Sequence, residues 1–263
     1  MNEYQALLSD LGFARAANIS AAPMQALFGG YEAPPEWYGF PPALIPIVSD
    51  GSLPLYVGLW KHWFLPRTPS FVEVSVSDDY RTEEIARTED QLTQLMVARL
   101  IVHRDGIDDE VRAFAADLDV ENLDEIDAFT DLSGDDLSAY AALPAFSNRT
   151  PRIASQDGDY SGEFPFAGQY DADRQAFFEF EDLPPAAEAL WLDPVSDKAA
   201  AFDHFMAQSE FAKAWLTING TGWSFADAAL AITELSRAPS ADPLFRRMAE
   251  IWSQHASQES GGY

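Results

Sequence analysis

The chain has 263 residues, enough for one large domain or two small ones, and 47% of them are hydrophobic, enough for a substantial core. Its net charge is −27, with 43 acidic residues against 16 basic ones, which disfavours binding to nucleic acid or to an anionic membrane. It has no cysteine, which excludes a disulfide framework, a Cys-ligated metal and a thiol nucleophile.

Met1 to Phe13 lacks both a basic segment and an apolar one, so no secretory signal is expected there. No stretch approaches the roughly 18 apolar residues of a membrane span. The expectation is a cytoplasmic protein. The triplets starting at Asn18, Asn148 and Asn219 fit the glycosylation pattern but carry no meaning without secretion.

In chain order, Met1 to Ala17 is expected to be a helix with Tyr4, Leu7, Leu8 and Leu11 on one side. Ala22 to Phe28 is a second helix, stopped by Gly29-Gly30. A Pro-rich connector follows from Tyr31 to Pro42, and its Trp37, Tyr38 and Phe40 predict that it is packed down. Leu44 to Val48 and Leu55 to Trp60 read as strands joined by the turn Ser49-Asp50-Gly51-Ser52. Ser70 to Val76 alternates Val72, Val74 and Val76 with Glu73, Ser75 and Ser77, as a half-buried strand does. Arg81 to Ile85 is a fourth short strand.

From Thr88 the period becomes helical, through Leu92, Leu95, Met96, Arg99, Leu100 and His103, with Thr88 and Gln91 placed as a capping pair. Helices are predicted at Asp108 to Leu118, Asn122 to Phe129 and Gly134 to Leu143. Asn148 to Tyr170 is rich in Gly, Asp and Ser and marks a boundary or long loop, and Ala176 to Phe180 is a further strand. The end is helical, at Ser196 to Leu216, Ser224 to Ser236 and Asp242 to His255, with a frayed tail from Ser257 to Tyr263. The expected class is α+β: a small antiparallel sheet framed by helices, with a mostly helical C-terminal half.

The run Leu44-Ile45-Pro46-Ile47-Val48-Ser49-Asp50-Gly51-Ser52, followed by Leu55-Tyr56-Val57-Gly58-Leu59-Trp60, resembles the SUKH superfamily. That family shows an apolar-Pro strand, an Asp-Gly turn and a second apolar strand with Tyr. Met24 to Gly30 resembles its helix ending in a glycine pair, and the helix around Leu92 to Val102 falls where the family places one after its sheet. The likeness covers residues 1–104, leaving an acidic helical segment at 105–147 and a mostly helical region at 148–263. Lys61-His62-Trp63-Phe64 is an unusual continuation of the hairpin. The resemblance implies a domain that binds protein, as in immunity proteins that neutralise bacterial toxins, often basic nucleases.

Residues 105–145 carry thirteen Asp or Glu against the single base Arg112. Apolar residues at helical spacing, among them Val111, Phe114, Leu118, Ile126, Phe129 and Leu132, mark folded helices rather than a tail. Two readings stand side by side. The acids are a solvated face, or Asp117, Asp119, Glu121, Asp124, Asp127, Asp131, Asp135 and Asp136 form a docking surface for a basic protein, with Phe114, Phe129 or Tyr140 as anchors where exposed. Lys61, His62 and Trp63 form a cationic and aromatic spot, either a cover over the core or a recognition loop.

No metal or cofactor is expected. Asp157-Gly158-Asp159-Tyr160-Ser161-Gly162 matches half of a calcium loop, but its twelfth position is Gly168 instead of Glu. The histidines form no metal-binding pair, and no nucleophile elbow, phosphate loop or dinucleotide fingerprint occurs. With so many carboxylates, some pair falls at catalytic separation by chance, so that pattern identifies nothing. Together with the acidic block, the SUKH resemblance implies a non-enzymatic immunity or inhibitor protein that binds a basic toxin domain. The alternatives are a regulatory or scaffold adaptor for a cellular protein and a metal-dependent enzyme using clustered carboxylates.

Overall fold

The computed structural model describes residues 2–29, 31–32, 37–50, 55–64, 68–77, 81–133, 143, 145, 170–171 and 196–263. Within them the architecture is α+β, as expected from the sequence.

The first expected helix is two. Helix α1 spans Glu3–Asp10 and α2 spans Ala14–Ala21. Asn2 and Gln5 close a reciprocal capping box at 2.8 Å in each direction, which fixes the start of α1. Gly12, at φ +90°, turns the chain between the two, a backbone state that glycine adopts without steric cost. Helix α3, Met24–Phe28, ends on Gly29 at φ +72°, whose N–H donates to Gln25 O at 2.8 Å. This is the glycine stop that the sequence announces. The described part of the connector from residue 37 to 42 is packed down, with Phe40 fully buried and Trp37 ringed by Phe40, Phe225 and Trp252.

The strands are β1 (Tyr31–Glu32), β2 (Leu44–Asp50), β3 (Leu55–Trp60), β4 (Ser70–Ser75), β5 (Arg81–Ala86) and β6 (Tyr170–Asp171). They lie in chain order in one antiparallel sheet. Pro46 sits inside β2 because the register shifts between Pro46 and Val48, and a bulge tolerates a residue without an N–H. Pro46 pairs with Gly58, where a Cβ would lie 2.6 Å from both Ile45 O and Leu44 Cδ1. Only glycine fits that crossing.

Helix α4, Glu89–Arg104, begins where Thr88 Oγ1 accepts from the Gln91 N–H at 3.2 Å. The Gln91 side chain reaches one residue further back than a capping box requires and accepts from the Arg87 N–H. Leu92, Leu95, Met96 and Leu100 are buried, and Arg99 reaches the sheet through Glu73 at 2.9 Å. Helices α5 (Asp109–Asp117) and α6 (Leu123–Ser133) both pack on α4.

The long helix expected from Ser196 to Leu216 is also two, α7 (Lys198–Ala207) and α8 (Phe211–Asn219). Ser209 makes the break at φ +59° without a Gly or Pro to signal it. Helices α9 (Phe225–Leu235) and α10 (Pro243–Ala256) follow, capped by Ser224 and Asp242. The tail is not frayed. Tyr263 is buried, its N–H donates to Trp223 O, and its hydroxyl donates to Ile218 O.

Three contacts tie these last helices to the sheet end. Trp252 Nε1 donates to Phe40 O at 3.0 Å, Asn219 Oδ1 accepts from the Ala43 N–H at 2.6 Å, and Trp215 reaches His62. One apolar core runs from Tyr4 to Tyr263 through all of them. The expected helix at Gly134 to Leu143 lies outside the described residues, except for Leu143, which is buried. The expected strand at 176–180, the calcium-like loop and all of the 148–170 stretch but Tyr170 lie outside them too.

Candidate functional site

The acidic segment folds as the apolar spacing requires. In α5, Val111, Phe114 and Ala115 turn inward together with Leu118 of the C-cap, and Asp109, Glu110, Arg112 and Asp117 turn outward. Asp108 Oδ1 caps the start, accepting from the Val111 N–H at 2.8 Å. Asp119 turns the chain in the left-handed region at φ +56°, where Asp is tolerated better than most residues. In α6, Ile126 and Thr130 are buried, and Asp124, Glu125, Asp131 and Leu132 are exposed.

The few bases of this region are spent at one end. Arg104 pairs with Asp108 at 3.5 Å and also with Glu110, and Arg112 pairs with Asp109 at 3.5 Å. Beyond them the charge is uncompensated. Among the described residues, Asp117, Asp119, Glu121, Asp124, Asp127 and Asp131 form no ion pair. All are exposed except Asp127, which is half-buried. Asp135, Asp136 and Tyr140 lie outside the described residues.

The apolar anchors differ from those expected. Phe114 is buried and Phe129 half-buried, whereas Leu132, expected to turn inward, is 89% exposed beside Asp131. Inward helical spacing ends at Thr130, and Leu132 falls on the solvent side. Alternating charge and apolar residues hid that in the sequence.

The cationic spot is the larger correction. His62 is only 3% exposed. Its Nε2 faces the Trp60 indole N–H at 3.1 Å and its Nδ1 faces that of Trp215 at 3.0 Å. Both indoles are donors, and a neutral imidazole accepts at one ring nitrogen, so it can take a hydrogen bond from one of them while the other packs against it. Trp63 is half-buried against Phe245, with Lys61 Nζ 4.6 Å from its ring centre. Burial holds the Lys61 ammonium below its ordinary range, with Asp242 opposing. These three residues cover the core where the hairpin meets α8 and α10, and His62 presents no surface to a partner.

The other histidines are dispersed. His103 is exposed at the end of α4, where a cation complements the helix dipole, and its ring lies 6.1 Å from that of Phe28. His204 meets Gln208 on α7. The His255 ring lies parallel to those of Tyr4 and Trp37, with centroids 5.8 and 6.0 Å away. Burial lowers its pKa, with Glu3 opposing, and burial also pushes the Tyr4 hydroxyl up. Among the described residues, no three His, Asp or Glu are grouped so as to hold a metal ion, and no helix is long and apolar enough to cross a membrane.

One site was missed entirely from the sequence. A shallow groove of about 330 Å³ runs between the α2–α3 corner and α5, lined by Asn18, Ala21, Ala22, Pro23, Phe114, Asp117 and Leu118. Its sequence signal was Asp117, an acid in the last turn of a helix that has no base there.

Fold and site together define an α+β protein with a bare acidic helical face. No protein-family model, curated protein or solved structure matches the chain.

Proposed function

We propose that the protein is a non-enzymatic immunity or inhibitor protein that binds a basic protein partner, a toxin domain, through the face formed by α5, α6 and the turn between them. The observation that carries this is the run of carboxylates from Asp117 to Asp131, none in an ion pair among the described residues, with Leu132 standing 89% exposed at their edge. A structural face shares its charges with neighbouring bases, as Arg104 and Arg112 do at the start of α5. Bare acids around an exposed apolar side chain suit a partner that brings both the cations and a pocket. Such complementarity speeds encounter and selects the partner more than it deepens affinity. It also repels nucleic acid and anionic lipid. The SUKH-like hairpin adds support, since that resemblance implies toxin neutralisation in the cytoplasm.

The test is co-expression with the product of a toxin gene adjacent to this one. The expected result is a complex that survives purification at low salt, weakens as ionic strength rises, and protects the cell. A toxin domain that neither binds nor is neutralised would contradict the reading.

A further inference from the structure

The groove beside α5 has an electrostatic character that its lining alone does not reveal. Helix α2 ends at Ala21 and α5 ends at Asp117, and both ends lie in the groove wall. Helix C-termini carry the negative end of the peptide dipole, and proteins normally answer it with Lys, Arg or His in the last turn. Like most of the described helices of this acidic chain, α2 and α5 have no base there. Asp117 instead adds a full negative charge, which is unfavourable for its own helix and is not offset by an ion pair among the described residues. Beneath the charge, the groove is apolar: Phe114 and Leu118 form a buried floor, and Ala21, Ala22 and Pro23 the opposite wall. Asn18, exposed at the rim, offers an amide oxygen.

We propose that this groove receives an arginine side chain of the basic protein partner, its methylene stem on Phe114, Leu118 and Ala22 and its guanidinium at Asp117 and Asn18. The inference rests on the reading that the acidic face binds a basic protein, and it names the anchor point. Arginine suits the groove because its stem packs on apolar surface while its charged head stays at the rim. Its planar fork of donors serves a carboxylate and a neighbouring amide oxygen together.

The test titrates the full-length ¹⁵N-labelled chain with N-acetyl-arginine amide, using N-acetyl-citrulline amide as the uncharged isostere. The expected result is saturable shifts confined to the amides of Asn18, Ala22, Asp117 and Leu118, with citrulline amide at least about threefold weaker. Asp117→Asn should weaken the arginine response by a similar factor. Ala21→Phe, which plugs the groove at an exposed position and keeps every charge, should abolish it, with circular dichroism confirming the fold of both variants. Shifts that spread without saturation across Asp117 to Asp131 would overturn the groove and leave the acidic docking face standing. Absence of any shift at the groove amides would also overturn it. Saturation at the groove, in a chain whose acidic face tolerates charge reversal without loss of toxin binding, would uphold the groove and sink the wider docking reading.

Discussion

At the scale of the residue, the joints between sheet and C-terminal helices are made by a few buried polar groups. Asn219 is fully buried and used at both ends, its Oδ1 by the Ala43 N–H at 2.6 Å and its Nδ2 by Trp215 O at 2.8 Å. Asn219→Ala leaves the Ala43 N–H buried without a partner. The expected cost is about 1–3 kcal/mol, read as a lower urea midpoint at unchanged m-value. His255 gives the molecule a pH dependence of definite sign. Its folded pKa lies below the unfolded value of about 6.5. The stability it contributes is therefore present above that value and lost as pH falls from there towards the folded pKa. His255→Phe keeps a ring beside Tyr4 and Trp37 and removes the titration. The melting temperature of the unsubstituted chain should fall relative to this variant between pH 7.5 and pH 5, and parallel curves would refute the assignment. Nothing in the sequence set His62 or His255 apart, because burial is decided by residues more than 150 positions away, such as Trp215 for His62 and Tyr4 for His255.

At the scale of the element, what could be read was whatever local chemistry decides. The Thr88 cap, the Gly29 stop and the alternation of β4 all follow from nearest neighbours, and all were legible. The two missed helix breaks differ in kind. Gly12 is a visible breaker that apolar spacing overrode, whereas Ser209 carries no local signal, and α7 and α8 are separated by how they pack on one another. The same scale separates structural acids from those of the proposed docking face. Asp108→Ala removes the cap of α5 and should cost about 1 kcal/mol of stability, with little effect on partner binding. Asp124→Lys, on an exposed turn of α6, should leave the melting temperature within about 2 °C, because surface substitutions away from special features change stability little. Thermal melts of the two variants check this directly, and an equal loss in both would mean that α6 acids hold the fold.

At the scale of the whole molecule, composition announced an acidic protein but not where the charge would stand alone. Basic residues are placed at joints, Arg15 with Asp90, Arg99 with Glu73 and Arg247 with Asp10. Lys61 is laid over Trp63, both half-buried, with His62 buried beside them. The α5–α6 face is left bare, and the reading of function depends on that imbalance. Its most direct measurement is the affinity of the purified chain for the partner proposed above, a basic toxin domain, before and after the triple reversal Asp124→Lys, Asp127→Lys, Asp131→Lys, at low and at physiological salt. The account predicts a Kd raised at least about tenfold with most of the salt dependence gone. An unchanged Kd with the salt dependence intact would contradict it.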